Sequence, residues 1–149
     1  MTPDKDQFAR TLVAGMPDAI VHADENGTIR IWNAGAARMF GFTEHEALGQ
    51  SLYILVPASL RDRHWAGFRE TMRTGRTQYD SGQTLSVPAI RKDGTRFSVE
   101  FTIVPFIAPD GRLTGIAAIM RDVTARFEEV RTLRKQLAEA RAATGSRPA

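Results

Sequence analysis

Few residues in this chain are placed to do chemistry, and the most suggestive of them surround His64. Leu60, His64, Phe68 and Met72 recur every four residues. On a helical period of about 3.6 residues they stack along one apolar side. Such a stripe turns the imidazole toward an interior pocket rather than toward water. Two roles are open to it: a ligand to something held in the pocket, or a core histidine satisfied by one hydrogen bond. Trp65 adjoins it and either lines the pocket or packs under a sheet. Tyr79, Gln83, Thr84 and Leu85 belong to a later strand or its leading loop on the pocket side. Their polar members either bind a small ligand or alternate toward solvent. The candidate pocket set is therefore Leu60, His64, Trp65, Phe68, Met72, Tyr79 and Leu85.

Other chemistries lack their residues. The 149 residues include no Cys, which removes disulfides, thiolate metal sites and cysteine nucleophiles. His22, His45 and His64 are scattered without paired carboxylates at ligand spacing, so zinc has no site. No nucleophile–base–acid set is present, and no enzymatic activity is expected. Twenty basic residues face seventeen acidic ones. The two Arg-rich stretches, 61–76 and 126–141, are interleaved with acids at helical spacing, as on a solvated helix face. They lack base-reading partners, which argues against direct nucleic-acid binding. No run approaches the roughly 18 apolar residues of a membrane span. Met1 to Arg10 is polar and unlike a signal peptide; the expectation is a cytoplasmic protein with no membrane association.

The elements that position the pocket are legible in outline. A short helix over 4–13 carries Phe8, Leu12 and Val13 on one side and ends at Gly15 and Pro17. Residues 19–23 and 28–32 are β-rich, with Asn26-Gly27 as a hairpin signal between them. Asn33 is placed to cap a helix over 34–40, and Thr43 with Glu46 forms a capping box. The longest internal helix starts at Pro57-Ala58-Ser59 and runs to about Thr74, with Gly75 as its stop. A strand region follows over 77–90, with Pro88 marking an edge. Phe97, Val99, Phe101 and Ile103 alternate with polar residues as in a half-buried strand, and Leu113–Met120 reads as the last strand. A helix over 125–142 closes the chain, before a Gly/Ser/Pro-rich tail, 144–149, expected to be disordered. The fold class is α+β: a five-stranded antiparallel sheet in the order ββαααβββ, with helices on one face and flanking N- and C-terminal helices.

This order, with particular residues, resembles the PAS family. The marks are Asp24-Glu25-Asn26-Gly27, Trp32-Asn33-Ala34-Gly35-Ala36 and Phe40-Gly41-Phe42-Thr43. Glu46-Ala47-Leu48-Gly49-Gln50, Lys92-Asp93-Gly94 and Arg121-Asp122-Val123-Thr124 complete the set. Each is weak alone; together, in order, they cover about Phe8 to Thr124. The resemblance implies a core domain over 16–124 between flanking helices, 1–15 and 125–143. It also implies a sensory and dimerisation module of signal transduction or transcriptional regulation, acting on an output protein that the residues do not identify. A ligand-free interaction domain with a self-filled pocket is the alternative.

The resemblance bears on the ligand as well. Light sensors of similar fold use a cysteine for their flavin, so a cysteinyl-flavin is excluded here. The stretch Leu60-Arg61-Asp62-Arg63-His64 resembles the helix of heme-binding PAS oxygen sensors, which implies heme b with His64 as its iron ligand; otherwise the ligand is an unspecified small molecule. A neutral imidazole in an apolar pocket suits that role. The oxygen sensors also carry an Arg or Met on the next strand, whereas this chain reads Asp80-Ser81-Gly82-Gln83-Thr84-Leu85 there.

The last helix has its own pattern. Val123, Phe127, Val130, Leu133, Leu137 and Ala140 follow at spacings of four and three, close to a coiled-coil seam. The expectation is a homodimer paired through the terminal helices; the alternative is one amphipathic helix packed on its own sheet.

Overall fold

The computed structural model describes residues 1–75 and 85–145. Tyr79, Gln83, Thr84 and the end of the tail, 146–149, lie outside the described residues, as does the side chain of Leu85.

The chain runs α1 (Lys5–Gly15), β1 (Ala19–Asp24), β2 (Ile29–Trp32), α2 (Ala34–Phe40) and α3 (Glu44–Ala47). Two short 3-10 turns, Leu52–Leu55 and Ala58–Leu60, lead into α4 (Arg61–Thr74). Then come β3 (Leu85–Ile90), β4 (Arg96–Ile107), β5 (Leu113–Asp122) and α5 (Thr124–Ala143). The five strands form one antiparallel sheet in the order β2-β1-β5-β4-β3. The β1–β2 hairpin and the β3–β4–β5 meander therefore meet where β5 returns to pair with β1, in register from Ala19 opposite Met120 to Asp24 opposite Gly115. Pro88 lies inside β3 opposite Ser98. A residue without an N–H is tolerated there because β3 is an edge strand.

All three hairpins share one construction. Each has a three-residue loop in which the glycine alone takes positive φ: Gly27 at 77°, Gly94 at 87° and Gly111 at 84°. Each glycine N–H returns to the carbonyl before the loop, on Asp24, Arg91 and Ala108, at 2.8–2.9 Å. The Asn26-Gly27 signal thus marked a real hairpin, but Asn26 stays at negative φ, as in a type I turn with a glycine bulge.

Local caps behave as their residue types dictate. Asn33 accepts from Ala36 N–H at 2.9 Å, and Thr43 with Glu46 makes both bonds of the capping box. Asn33 does more than cap. It is 6% exposed; its Oδ1 also accepts from Ile20 N–H, and its Nδ2 donates to the carbonyls of Val13 and Asp18. One amide thereby ties the end of α1 to β1 and α2. Gly35 beside it is obligatory, since a Cβ there would stand 2.1 Å from the Asp18 carbonyl oxygen. The core gathers on the helix-covered side of the sheet around Trp32, Phe40, Ile29 and Val21. The Trp32 indole N–H donates to the Phe42 carbonyl at 2.9 Å.

Both terminal helices leave their apolar residues uncovered. Phe8 and Leu12 of α1 are at least half exposed, and neither α1 nor α5 has a buried residue.

Candidate functional site

The concave face of the sheet and α4 enclose a cavity of about 860 Å³. Its sheet wall follows from strand alternation: Val21 and Ala23 of β1, Val99 and Phe101 of β4, and Ala118 and Met120 of β5 all point the same way. The first 3-10 turn adds Leu52 and Leu55, and α4 supplies the opposite side. Among the described residues the strand wall is apolar throughout. Every polar side chain at the cavity comes from α4: Arg63, His64, Glu70 and Thr71.

α4 owes its position to its ends. Leu60 N–H bonds the Pro57 carbonyl in the 3-10 turn before it, and Gly75 closes it in the left-handed conformation, φ 70°. Phe68 is its one buried residue. The His64 ring stacks on Phe68, with centroids 6.5 Å apart and planes 26° from parallel. His64 Nδ1 is buried and has no hydrogen-bond partner. Desolvation holds the imidazole below its ordinary pKa of 6.5, so it is neutral at pH 7. A neutral imidazole with an unsatisfied nitrogen is competent either to bind a metal centre or to accept or donate a hydrogen bond to a pocket ligand.

The sequence-derived set divides on this geometry. Leu60, His64 and Phe68 line the cavity as expected. Trp65 does not: its ring lies parallel to Phe68 at 5.4 Å, edge-on to Tyr53 at 5.6 Å, and against the β1–β2 turn. A Cβ at Gly27 would stand 2.5 Å from that indole. Met72 also misses the cavity, and Thr71 takes its place. Helical rotation is the reason. At about 100° per residue, position i+7 returns to within about 20° of the starting direction, while i+8 drifts some 80° away. Tyr79 lies outside the described residues. Leu85 opens β3 opposite Phe101, and its side chain is likewise undescribed. The segment where the oxygen sensors carry Arg or Met, 80–84, falls in the same gap.

Two kinds of pocket residue escaped the sequence. Arg63, Gly67 and Thr71 were obscured because a polar or absent side chain does not mark an apolar stripe. The strand residues were visible as alternating positions, but which alternate set faces α4 depends on pairing with distant strands. Among the described residues no cluster of three or more His, Asp or Glu side chains is arranged for a metal ion. No helix among them is long and apolar enough to cross a membrane.

Beyond the cavity, β5 passes directly into α5. Val123 N–H donates to the Ser98 carbonyl at 3.0 Å, and Ser98 N–H donates to Thr124 Oγ1 at 2.9 Å. Thr124 Oγ1 donates in turn to Asp122 Oδ1 at 2.7 Å. Arg126 pairs with Glu100 of β4, and Arg91 pairs with Asp122 at 2.7 Å while lying 3.8 Å over the Phe97 ring. The base of α5 is thus fastened to β4 and β5, two of the strands that wall the cavity.

Comparison with known proteins follows the same outline. The family model described as PAS fold matches residues 7–123. The chain is 32% identical over 99 residues to the sensor protein FixL of Bradyrhizobium diazoefficiens, covering 66% of this chain and 19% of that protein. It is 24% identical over 129 residues to the oxygen sensor protein DosP of Escherichia coli, covering 85% of this chain and 16% of that protein. The chain therefore spans less than a fifth of the length of either relative. Among solved structures, the crystal structure of the PAS domain of a protein from Colwellia psychrerythraea superposes with TM-score 0.71 at 23% identity. That match covers 82% of this chain and 99% of that one.

Proposed function

The chain belongs to the PAS family, and from that premise we propose that it is a sensory module holding a small, largely apolar ligand between α4 and the sheet and relaying occupancy to α5. The observation that carries the reading is the cavity itself. Its 860 Å³ lies within the range of about 300–1,000 Å³ typical of small-molecule sites, and His64, which lines it, carries a buried Nδ1 without a hydrogen-bond partner. The described side chains leave that volume open, which favours a bound ligand over a pocket filled by the protein's own groups.

Heme is the specific ligand this reading takes. The residues present fit it: a neutral His64 to hold the iron, apolar walls on the strand side, and Arg63 as the cationic group at the cavity. Bound there, heme would supply an iron centre able to take up a small gas or change redox state. The chain's own residues do the remaining work. Phe68 orients the imidazole by stacking, burial keeps it unprotonated, and the apolar sheet excludes water. No described strand side chain offers a hydrogen bond to whatever stands against the sheet, which favours an apolar or weakly polar guest on that side.

The relay has a physical route. Met120 and Ala118 face the cavity from β5, and β5 enters α5 within two residues. A guest that displaces those side chains moves the strand to which α5 is fastened. Relatives named as a sensor protein and an oxygen sensor protein support the same class of role.

The test is spectroscopic. Purified protein mixed with hemin is expected to show a Soret band that shifts or vanishes in His64→Ala with the fold retained by circular dichroism. Protein that stays colourless after hemin addition rejects heme.

A further inference from the structure

We propose a second ligand site outside the cavity: a cleft between α5 and the opposite face of β3 and β4 that takes a medium-chain carboxylate. The cleft measures about 330 Å³, at the small end of the range of about 300–1,000 Å³ typical of small-molecule sites. Strand alternation separates it from the cavity. Ser86 and Glu100 lie opposite one another on β3 and β4 and line the cleft, while their neighbours Val87, Val99 and Phe101 line the cavity. The same two strands therefore carry one site on each face.

The other wall of the cleft is the first half of α5. Val123, Phe127, Val130 and Arg134 follow at spacings of four, three and four, so they share the side turned to the strands. Val123 is 7% exposed at the closed end, where β5 enters the helix, whereas Phe127 is 53% and Val130 41% exposed. The protein itself covers only part of this apolar side.

Charge decides the polar end of the guest. Three arginines and one glutamate border the cleft. Arg126 is paired with Glu100, and that pair belongs to the fastening of α5. Arg131 and Arg134 remain, and among the described residues neither has an ion-pair or hydrogen-bond partner. They stand three residues apart, the spacing of neighbours on a helix surface, just beyond the apolar stretch of Phe127 and Val130. Two free guanidinium groups at the end of an apolar trough complement a chain that ends in a carboxylate. A guanidinium fork holds such a group through two parallel hydrogen bonds. At roughly 30 Å³ for a water-sized group, the volume holds about eleven of them, which matches octanoate.

A guest in the cleft lies against Glu100 and Arg126. It therefore bears on the junction of β4 and α5, beside the junction that the cavity reaches through β5. The inference uses no residue of the cavity and is independent of the heme reading.

The test is NMR of the methyl-labelled full chain, titrated separately with octanoate, octanol and octyltrimethylammonium. Octanoate is expected to give saturable shifts at the Val123 and Val130 methyls, and octanol to bind about tenfold more weakly or worse. Arg131→Gln with Arg134→Gln is expected to lower octanoate affinity by about tenfold or more and to leave octanol unchanged. Both arginines are exposed, so the fold does not depend on them. Arg131→Glu with Arg134→Glu is expected to reverse the preference toward octyltrimethylammonium. Shifts confined to Val21, Val99 and Ile116 place octanoate in the cavity and overturn the proposal. So does the absence of any shift, or equal octanoate affinity in the double Gln variant. Shifts at Val123 and Val130 that grow with protein concentration, and that octanoate leaves unchanged, show a second copy covering this side and also overturn it. Failure of hemin to bind, with the cleft shifts intact, counts against the heme reading alone.

Discussion

His64 stacks on Phe68 with ring centroids 6.5 Å apart while Trp65, one residue further along α4, lies parallel to the same ring at 5.4 Å. Phe68 thereby divides the helix. One flank opens onto the cavity, and the other is sealed by Tyr53 and the Gly27 turn. The ring that orients His64 is thus itself held, because Phe68 is buried and stacked on Trp65.

A pH dependence follows from the burial of His64. Its folded pKa is depressed below 6.5, so the unfolded chain takes up the proton first. The neutral site contributes its full stability above pH 6.5, and that contribution is lost as pH falls below it. Thermal melts of ligand-free protein between pH 8 and pH 5 are expected to show falling stability, with a shallower slope in His64→Gln. Equal slopes for the two proteins would contradict the assignment.

Gly67 bears on ligand fit. It lies mid-helix on the cavity side of α4, and no described atom would stand within 4 Å of a Cβ placed there. Gly67→Ala is expected to stabilise the ligand-free protein by up to about 1 kcal/mol through helix propensity. The same methyl narrows the cavity, and hemin titration should show weaker binding. Higher melting temperature with unchanged affinity would place the ligand away from this stretch of α4.

Lys92 and Glu46 join the β3–β4 hairpin to α3. The Lys92 ammonium, helped by Thr43 N–H, holds the Glu46 carboxyl down to about 2 from 4.5. With a depressed carboxyl the contribution is complete above 4.5 and disappears as pH falls toward 2. In Lys92→Met the Glu46 carboxyl is expected to titrate at higher pH, yet still below 4.5 because Thr43 N–H remains. NMR titration of the Glu46 side-chain carboxyl measures both values.

Asn33 holds three elements with four hydrogen bonds. Asn33→Ala leaves one buried N–H and three part-buried backbone groups without this partner and is expected to cost about 2 kcal/mol in chemical denaturation. A loss confined to a few tenths would mean that α1 contributes little to the fold. That outcome can be separated by comparing a variant lacking residues 1–14.

What could be read in advance divides by range. The caps at Asn33 and Thr43, the turn at Asn26-Gly27 and the stop at Gly75 depend on neighbours within four residues, and each formed where its residue types placed it. The site was legible only in part. Leu60, His64 and Phe68 share a side by a local period, but the stripe could not show that Met72 drifts off it. Nor could it show that Trp65 turns to a glycine nearly forty residues earlier in the chain. The strand residues of the cavity needed the pairing of β5 with β1 before either alternate face had a meaning.

By itself the sequence determined the family, the order of elements, the absence of any cysteine-dependent cofactor, and the apolar spacing and charges along α5. Those properties follow from residue type and short-range periodicity, which act before any long-range contact forms. The tertiary structure decided that His64 borders an open, strand-walled cavity with an unsatisfied nitrogen, and that α5 is fastened to two of the strands that wall it. These depend on strand order and on the packing of α4 across the sheet. Both are set by burial of surfaces far apart in the chain, so no local pattern encodes them.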